Sequence, residues 1–155
     1  MGKIGSFKAL IVTVFAGMSA LLGWFGWLAV AFVVCMSVDW ITGTMAAWKR
    51  GEWKSKIGRE GIWHKTGSII AVLVTLILDG VIGTVINNIP SISLPYTYTV
   101  LLSPIVIVWY ILTELGSIVE NAGKMGAPVP GFLKKAIAIL KNNVDPAGEK
   151  LTENK

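Results

Sequence analysis

Charged residues are scarce in this chain of 155 residues: they make up 15% of it, where a soluble domain carries about 25%. Hydrophobic residues make up 54%, and the mean hydropathy is +0.66. A chain of this length is expected to form one domain, and so few polar side chains cannot cover an apolar core in water. The composition therefore excludes an ordinary soluble protein and indicates an integral membrane protein.

Cysteine and histidine are nearly absent, since Cys35 and His64 are each the single residue of their type. One cysteine excludes a disulfide framework, and one cysteine with one histidine is too small a ligand set for a typical zinc site. The sequence also contains no nucleophile grouped with a base and no phosphate-binding glycine loop. We therefore predict no enzymatic activity, no catalytic residue, no metal and no cofactor.

Negative charge is in the minority, because 14 lysines and arginines oppose 9 acidic residues and give a net charge of +5. The basic residues lie at the two ends of the chain and in one block, residues 49–65, between apolar stretches. They are not interleaved with aromatic residues as in a nucleic-acid-binding groove. We therefore predict no nucleic-acid partner and take the basic residues as a signal of membrane topology.

The first apolar stretch, from Ala9 to Val38, contains 30 residues without a charge. As one helix it would be about 45 Å long, against about 30 Å of hydrocarbon in a bilayer. We predict a hairpin that turns at Gly23 to Trp27, with arms from Ile4 to Gly23 and from Gly26 to Trp48. A single, strongly tilted crossing is the alternative.

Residues 49–65 are predicted to form a loop because they combine six basic residues with glycines at 51, 58 and 61. The next crossing is predicted from Thr66 to about Asn88, and the last from Tyr96 to Val119 with a kink at Pro104. The fold class is therefore an all-α membrane bundle of four, alternatively three, transmembrane helices. The positive-inside rule places the 49–65 loop and the C-terminus in the cytoplasm.

A transmembrane domain is predicted over residues 1–123, followed by a basic cytoplasmic tail over residues 124–155. The tail contains an amphipathic helix at about 131–143, and the residues from Asp145 to Lys155 are predicted to be disordered. The helix either lies on an anionic membrane surface or packs on its own bundle. Its apolar face consists of Phe132, Leu133, Ala136, Ile137 and Leu140.

Asp39, Asp79 and Glu114 lie inside predicted crossings, where a charge costs at least about 2.5 to 3.5 kcal/mol. Their distances from the predicted cytoplasmic ends, roughly 15 to 21 Å, allow one shared layer. They either hold helices together through polar partners or act as pore or switch residues. Gly80 and Gly83 are candidate helix-packing residues, because small side chains permit close approach within one molecule or between copies.

Through two groups of residues, the sequence resembles a known family, the toxin-secretion and phage-lysis holins of phages and clostridia. The first group is Asp39-Trp40-Ile41-Thr42-Gly43, followed by Lys65 and Asp79. The second is Glu114 to Asn121, which includes Ser117 and Glu120, followed by Gly126 and Pro130. The resemblance covers about residues 30–140.

The resemblance implies a protein that accumulates in the bacterial cytoplasmic membrane, forms a homo-oligomer and makes lesions in the bilayer. An endolysin, or a toxin, passes through as cargo rather than as a tight ligand, and an antiholin is a possible partner. Two other functions compatible with the sequence are a small ion channel or transporter and a non-lytic antiholin or membrane scaffold.

Overall fold

This computed structural model describes the backbone of residues 2–89 and 100–153, and the side chains of residue 13 and of residues 23–55, 58–89 and 100–146. The described chain is all-helical, as predicted. It consists of α1 (Gly2–Lys49), α2 (Ser55–Asn88), α3 (Leu102–Lys124) and α4 (Gly131–Glu153). Within the described residues, three stretches are long and apolar enough to cross a membrane: Gly23–Lys49, Gly58–Asn88 and Leu102–Lys124.

Helix α1 is interrupted at Gly23, which has a φ of 60° and a ψ of −171°. A positive φ is inexpensive only for glycine, so the interruption falls where the hairpin turn is predicted. It is confined to one residue, however, because Gly26 and Trp27 are already helical. Most side chains of the predicted first arm, from Ile4 to Gly23, lie outside the described residues. The choice between three and four crossings therefore stays a prediction.

Helix α2 begins at Ser55, eleven residues before the predicted Thr66, so most of the predicted 49–65 loop is helical. The prediction was wrong because it gave Gly58 and Gly61 the weight of helix breakers. A helix that enters a membrane must satisfy its own backbone hydrogen bonds, and this requirement outweighs the weak helix propensity of glycine. Gly61 faces α1, since an added Cβ would lie 3.6 Å from Trp40 Cδ1, an ordinary van der Waals contact.

The true connection between α1 and α2 is short and begins with a glycine cap. Gly51 has a φ of 68°, its N–H donates to the Trp48 carbonyl (3.0 Å), and the Glu52 N–H donates to the Ala47 carbonyl (3.0 Å). Helix α3 ends in the same way at Gly126, which has a φ of 91°. This pair of hydrogen bonds around a left-handed glycine is the Schellman motif, which satisfies the last carbonyls of a helix.

Helix α3 begins at Leu102 and ends at Lys124, whereas the predicted crossing ran from Tyr96 to Val119. The predicted start at Tyr96 lies outside the described residues. Pro104 lies in the first turn of α3, where the missing N–H removes no intrahelical hydrogen bond. The predicted kink is therefore wrong, because Pro104 has no preceding turn to disrupt.

Helix α3 is central and packs against α1, α2 and α4. Among the described residues, the buried apolar core is small, and its central cluster consists of Phe32, Met36, Val72 and Ile107. Large apolar side chains remain exposed on the outside, including Val33, Ile77 and Val81. An apolar exterior around a small core is the arrangement expected of helices that are surrounded by lipid.

Helix α4 begins at Gly131, the predicted residue, but continues to Glu153. The prediction that the chain is disordered after Asp145 is therefore wrong for residues 145–153, where Pro146 lies inside the helix. The helix runs antiparallel to α3: an added Cβ at Gly116 would lie 3.8 Å from Ile137 Cγ2, and Lys141 lies over the Trp109 ring. Of the two predicted positions of this helix, the structure has the one in which it packs on its own bundle.

Candidate functional site

A charged network joins the three membrane helices, and its centre is Lys65 of α2. The Lys65 Nζ lies 2.9 Å from Asp39 Oδ2 of α1 and 2.6 Å from Glu114 Oε2 of α3. These side chains are mostly buried, with exposed fractions of 17% for Lys65, 19% for Asp39 and 9% for Glu114. One ammonium group therefore bridges two carboxylates, and this polar contact joins all three helices.

The three charged residues form one layer of the bundle. Asp39 lies 10 residues before Lys49, Lys65 lies 10 residues after Ser55, and Glu114 lies 10 residues before Lys124. At 1.5 Å per residue, each group is about 15 Å from the helix end on the predicted cytoplasmic side. Asp39 and Glu114 therefore share a layer, as the sequence allowed.

Asp79 does not belong to this layer, so that part of the predicted arrangement is wrong. The prediction measured its depth from Lys65, which was assigned to a loop, but α2 begins at Ser55. Asp79 is thus 14 residues beyond Lys65 along the same helix, a distance of about 21 Å. It lies toward the opposite end of the bundle.

The network extends from Asp39 to the end of α3. Asn121 Nδ2 donates to Asp39 Oδ1 (3.0 Å) and to Thr42 Oγ1 (3.3 Å). Thr42 Oγ1 in turn donates to the Val38 carbonyl (2.8 Å) of its own helix. Gly43 permits this approach of α3, because an added Cβ at Gly43 would lie 3.4 Å from Asn121 Nδ2.

Two residues of the family motif stand outside this network in the described part of the chain. Ser117 is half-buried and Glu120 is exposed, and neither contributes to the hydrogen bonds and ion pairs around Lys65. The motif residues that do come together are Asp39, Thr42, Gly43, Lys65, Glu114 and Asn121.

A partly polar cavity of about 260 Å³ opens beside the network. Its lining includes Asp39, Lys65 and Asn121, and it extends to Arg50 and Lys124 at the helix ends. A polar space of this size holds several water molecules. Water can therefore reach the charged layer from the side on which α1 and α3 end.

Asp79 binds the N-terminus of α3. Its carboxylate accepts hydrogen bonds from the backbone N–H groups of Leu101 (3.2 Å), Leu102 (3.0 Å) and Ser103 (2.8 Å), and from the Ser103 hydroxyl (2.6 Å). Asp79 is 1% exposed. A negative charge satisfies the free N–H groups at a helix N-terminus and interacts favourably with the helix dipole. Of the two alternatives for this residue, the structure favours the one in which it holds helices together.

The two candidate packing glycines differ in their surroundings. Gly83 is buried within the chain, whereas Gly80 is exposed and an added Cβ there would meet nothing within 4 Å. Among the described residues, Gly80 therefore serves no close helix contact, and this surface is a candidate for contact with lipid or with another copy.

The role of Lys65 was missed by sequence reasoning, which recognised it only as a motif residue in a loop. A signal was present, since Ile57, Ile62 and Trp63 surround the basic residues of this segment. Apolar residues at that density indicate that the helix starts before the uncharged stretch.

Among the described residues, no group of three or more His, Cys, Asp and Glu side chains could hold a metal ion.

Comparison with known proteins agrees with this architecture. A family model described as the bacteriophage holin family matches residues 16–142. An uncharacterized protein of Halalkalibacterium halodurans is 36% identical over 128 residues, which cover 83% of this chain and 88% of the relative. An uncharacterized protein of Listeria monocytogenes is 35% identical over 114 residues, covering 73% of this chain and 71% of the relative.

A third relative, an uncharacterized 14.9 kDa protein of Clostridium perfringens, is 29% identical over 113 residues, covering 73% of this chain and 76% of the relative. No solved structure matches the chain. The holin family is not an enzyme family, and three apolar helices make the protein a multi-pass membrane protein. The match over residues 16–142 confirms the resemblance found in the sequence, and the chain belongs to the bacteriophage holin family.

Proposed function

We propose that the protein is a holin that accumulates in the bacterial cytoplasmic membrane, self-associates and forms lesions through which an endolysin or a toxin leaves the cell. The family match supports this class of function. The observation that carries the proposal is the charged network. Its ion pairs within one chain can be replaced by ion pairs between copies when the protein assembles. We place the two glycine-capped helix ends and the start of the tail on the cytoplasmic side.

The network suits a protein that is stored harmlessly and then rearranges. Lys65 satisfies Asp39 and Glu114 only while α1, α2 and α3 are together. If the helices separate, these groups need water or the equivalent groups of other copies, because charges inside a bilayer face a protein interior or an aqueous space. Self-association around a lesion provides both the water and the equivalent groups of other copies.

The membrane potential can trigger this rearrangement. With all three groups ionised, the layer of Lys65, Asp39 and Glu114 carries one net negative charge. Moving one charge across the whole potential changes the free energy by about 2.3 kcal/mol per 100 mV. A collapse of the potential therefore shifts the balance between stored and assembled forms.

The direct test is inducible expression in a bacterium together with a murein hydrolase that lacks a signal sequence. We expect abrupt lysis after a delay, with release of a cytoplasmic enzyme, only when both proteins are present. Either protein alone, and the pair with an inactive hydrolase, are the controls. Leakage of ions without release of the enzyme would instead indicate a channel or transporter, and continued growth with the protein in the membrane an antiholin or scaffold.

Gly80→Leu is expected to weaken self-association without changing the fold of one chain. The physical reason is that Gly80 is exposed and an added Cβ meets none of the described residues of its own chain, whereas a leucine side chain would hold a second helix away. Crosslinking in membranes should show a shorter oligomer ladder at equal protein abundance.

Gly67→Leu is the matched control, because Gly67 lies on the same helix and an added Cβ there also meets none of the described residues. The separation of 13 residues between the two glycines places them on different faces of α2. An unchanged ladder for Gly80→Leu, or the same loss for both variants, would contradict a specific contact at Gly80.

A further inference from the structure

Helix α4 is polar, yet it packs along a membrane-spanning helix. Gly123 meets Val129 in the connection just before α4, Gly116 meets Ile137 of α4, and Trp109 meets Lys141 farther along. The residue numbers rise on α4 as they fall on α3, so the two helices form an antiparallel pair. The polar residues of α4 include Lys134, Lys135, Lys141, Asn142, Asn143 and Asp145.

Trp109 fixes α4 in this position through two specific contacts. Its indole Nε1 donates a hydrogen bond to Asp145 Oδ1, and the Lys141 Nζ lies 4.1 Å from its ring centroid. A cation over an indole face and a charged acceptor at the indole N–H are both favourable. The packing is therefore a specific contact between a membrane helix and charged side chains.

These contacts place charged groups at the depth of the bilayer interior. Trp109 lies 15 residues before Lys124, so Lys141 and Asp145 are about 22 Å along α3 from its cytoplasmic end. The same helix directs Lys134, Lys135 and Asn142 away from the bundle, where they are exposed. Charged side chains at such depth almost always face a protein interior or a water-filled cavity.

We propose that α4 lines the aqueous lesion, with the exposed polar side chains Lys134, Lys135 and Asn142 facing water while Ile137, Lys141 and Val144 pack on the membrane helices. This inference rests on the proposed holin function and names the surface that its lesion presents to the cargo.

A reversible crosslink between α3 and α4 tests this assignment. The variant combines Gly116→Cys with Ile137→Cys in a Cys35→Ser background, because an added Cβ at residue 116 would lie 3.8 Å from Ile137 Cγ2, so the two side chains are neighbours across the helix pair. The purified protein is reconstituted into vesicles of phosphatidylethanolamine and phosphatidylglycerol that contain fluorescent dextran. We expect the oxidised protein to release dextran as fully as the reduced protein.

Loss of release on oxidation, recovered on reduction, would overturn the inference, because α4 would then have to leave α3 to open the membrane. The matched control combines Gly116→Cys with Ile139→Cys, since Ile139 is exposed and on the other side of α4. If the Cys35→Ser parent itself releases no dextran, the proposed function fails rather than the position of α4 alone.

A charge reversal tests the same inference without a crosslink. Lys134→Glu with Lys135→Glu should shift the selectivity of the lesions from anions toward cations, measured at about 0.01 M salt, where electrostatic screening extends over about 30 Å. Lys54→Glu, in the connection between α1 and α2, is the control for charge elsewhere. Unchanged selectivity in the Lys134 and Lys135 variant would overturn the proposal.

Discussion

Replacing Lys65 by methionine is expected to destabilise the bundle and to abolish controlled lysis. The substitution leaves Asp39 and Glu114 without their shared cation while both stay mostly buried. Removing one partner of a buried ion pair typically costs about 3 to 5 kcal/mol, because the remaining charge is uncompensated. Thermal unfolding in detergent, followed by circular dichroism, measures the loss of stability, and the lysis assay measures function.

Two further variants separate charge from shape at this site. Lys65→Met combined with Glu114→Gln should recover part of the lost stability, because one uncompensated carboxylate is removed and Asp39 keeps its hydrogen bond from Asn121. Lys54→Met removes the same charge from an exposed position and should leave unfolding unchanged. Wild-type stability and lysis timing in Lys65→Met would show that the network is not needed.

Replacing Asp79 by alanine is expected to release the N-terminus of α3 from α2. Three backbone N–H groups and the Ser103 hydroxyl lose their acceptor in a buried place. An unsatisfied buried donor costs about 1 to 3 kcal/mol, so the total loss should reach about 3 kcal/mol or more. Thermal unfolding and the protease sensitivity of the segment before Leu102 measure the effect.

Asp79→Asn is the graded control, because the amide retains one acceptor oxygen but loses the charge that favours a helix N-terminus. It should insert into the membrane and delay or abolish lysis with a smaller loss of stability than alanine. Asn88→Ala removes a local hydrogen bond to the Thr84 carbonyl at the exposed end of α2 and should change little. Equal unfolding of Asp79→Ala and the wild-type protein would contradict the anchoring role.

The two predictions differ in what they report about function. Lys65 joins three helices in a layer beside a polar cavity, so its loss affects the step in which helices exchange partners. Asp79 joins the far ends of α2 and α3 and is 1% exposed, so its loss affects the integrity of each copy. A lysis defect in Lys65 variants that retain stability would locate the switch in the charged layer.

The sequence by itself determined the membrane class, the helical content and the family. These properties follow from composition and from local patterns: few charges, long apolar runs and short motifs such as Asp39 to Gly43. The acidic residues inside crossings were also identifiable, because an ionisable group in an apolar run is conspicuous wherever the chain folds.

Helix boundaries were predicted less well where local signals oppose the membrane environment. Gly58 and Gly61 were predicted to interrupt helical structure, yet α2 continues through both of them. Pro104 was predicted to kink a helix, yet it lies in the first turn of α3. Position within a helix decides the effect of both residue types, and that position depends on where the helix starts.

Only the tertiary structure decided which charges are partners and where α4 lies. Lys65 is 26 residues from Asp39 and 49 from Glu114, Asp79 reaches 24 residues to Ser103, and Trp109 reaches 36 residues to Asp145. No periodicity encodes such separations, because a carboxylate takes whichever donor the packed helices bring within about 3 Å. The composition determined that buried charges need partners, and the packing of α3 against its neighbours determined which partners they have.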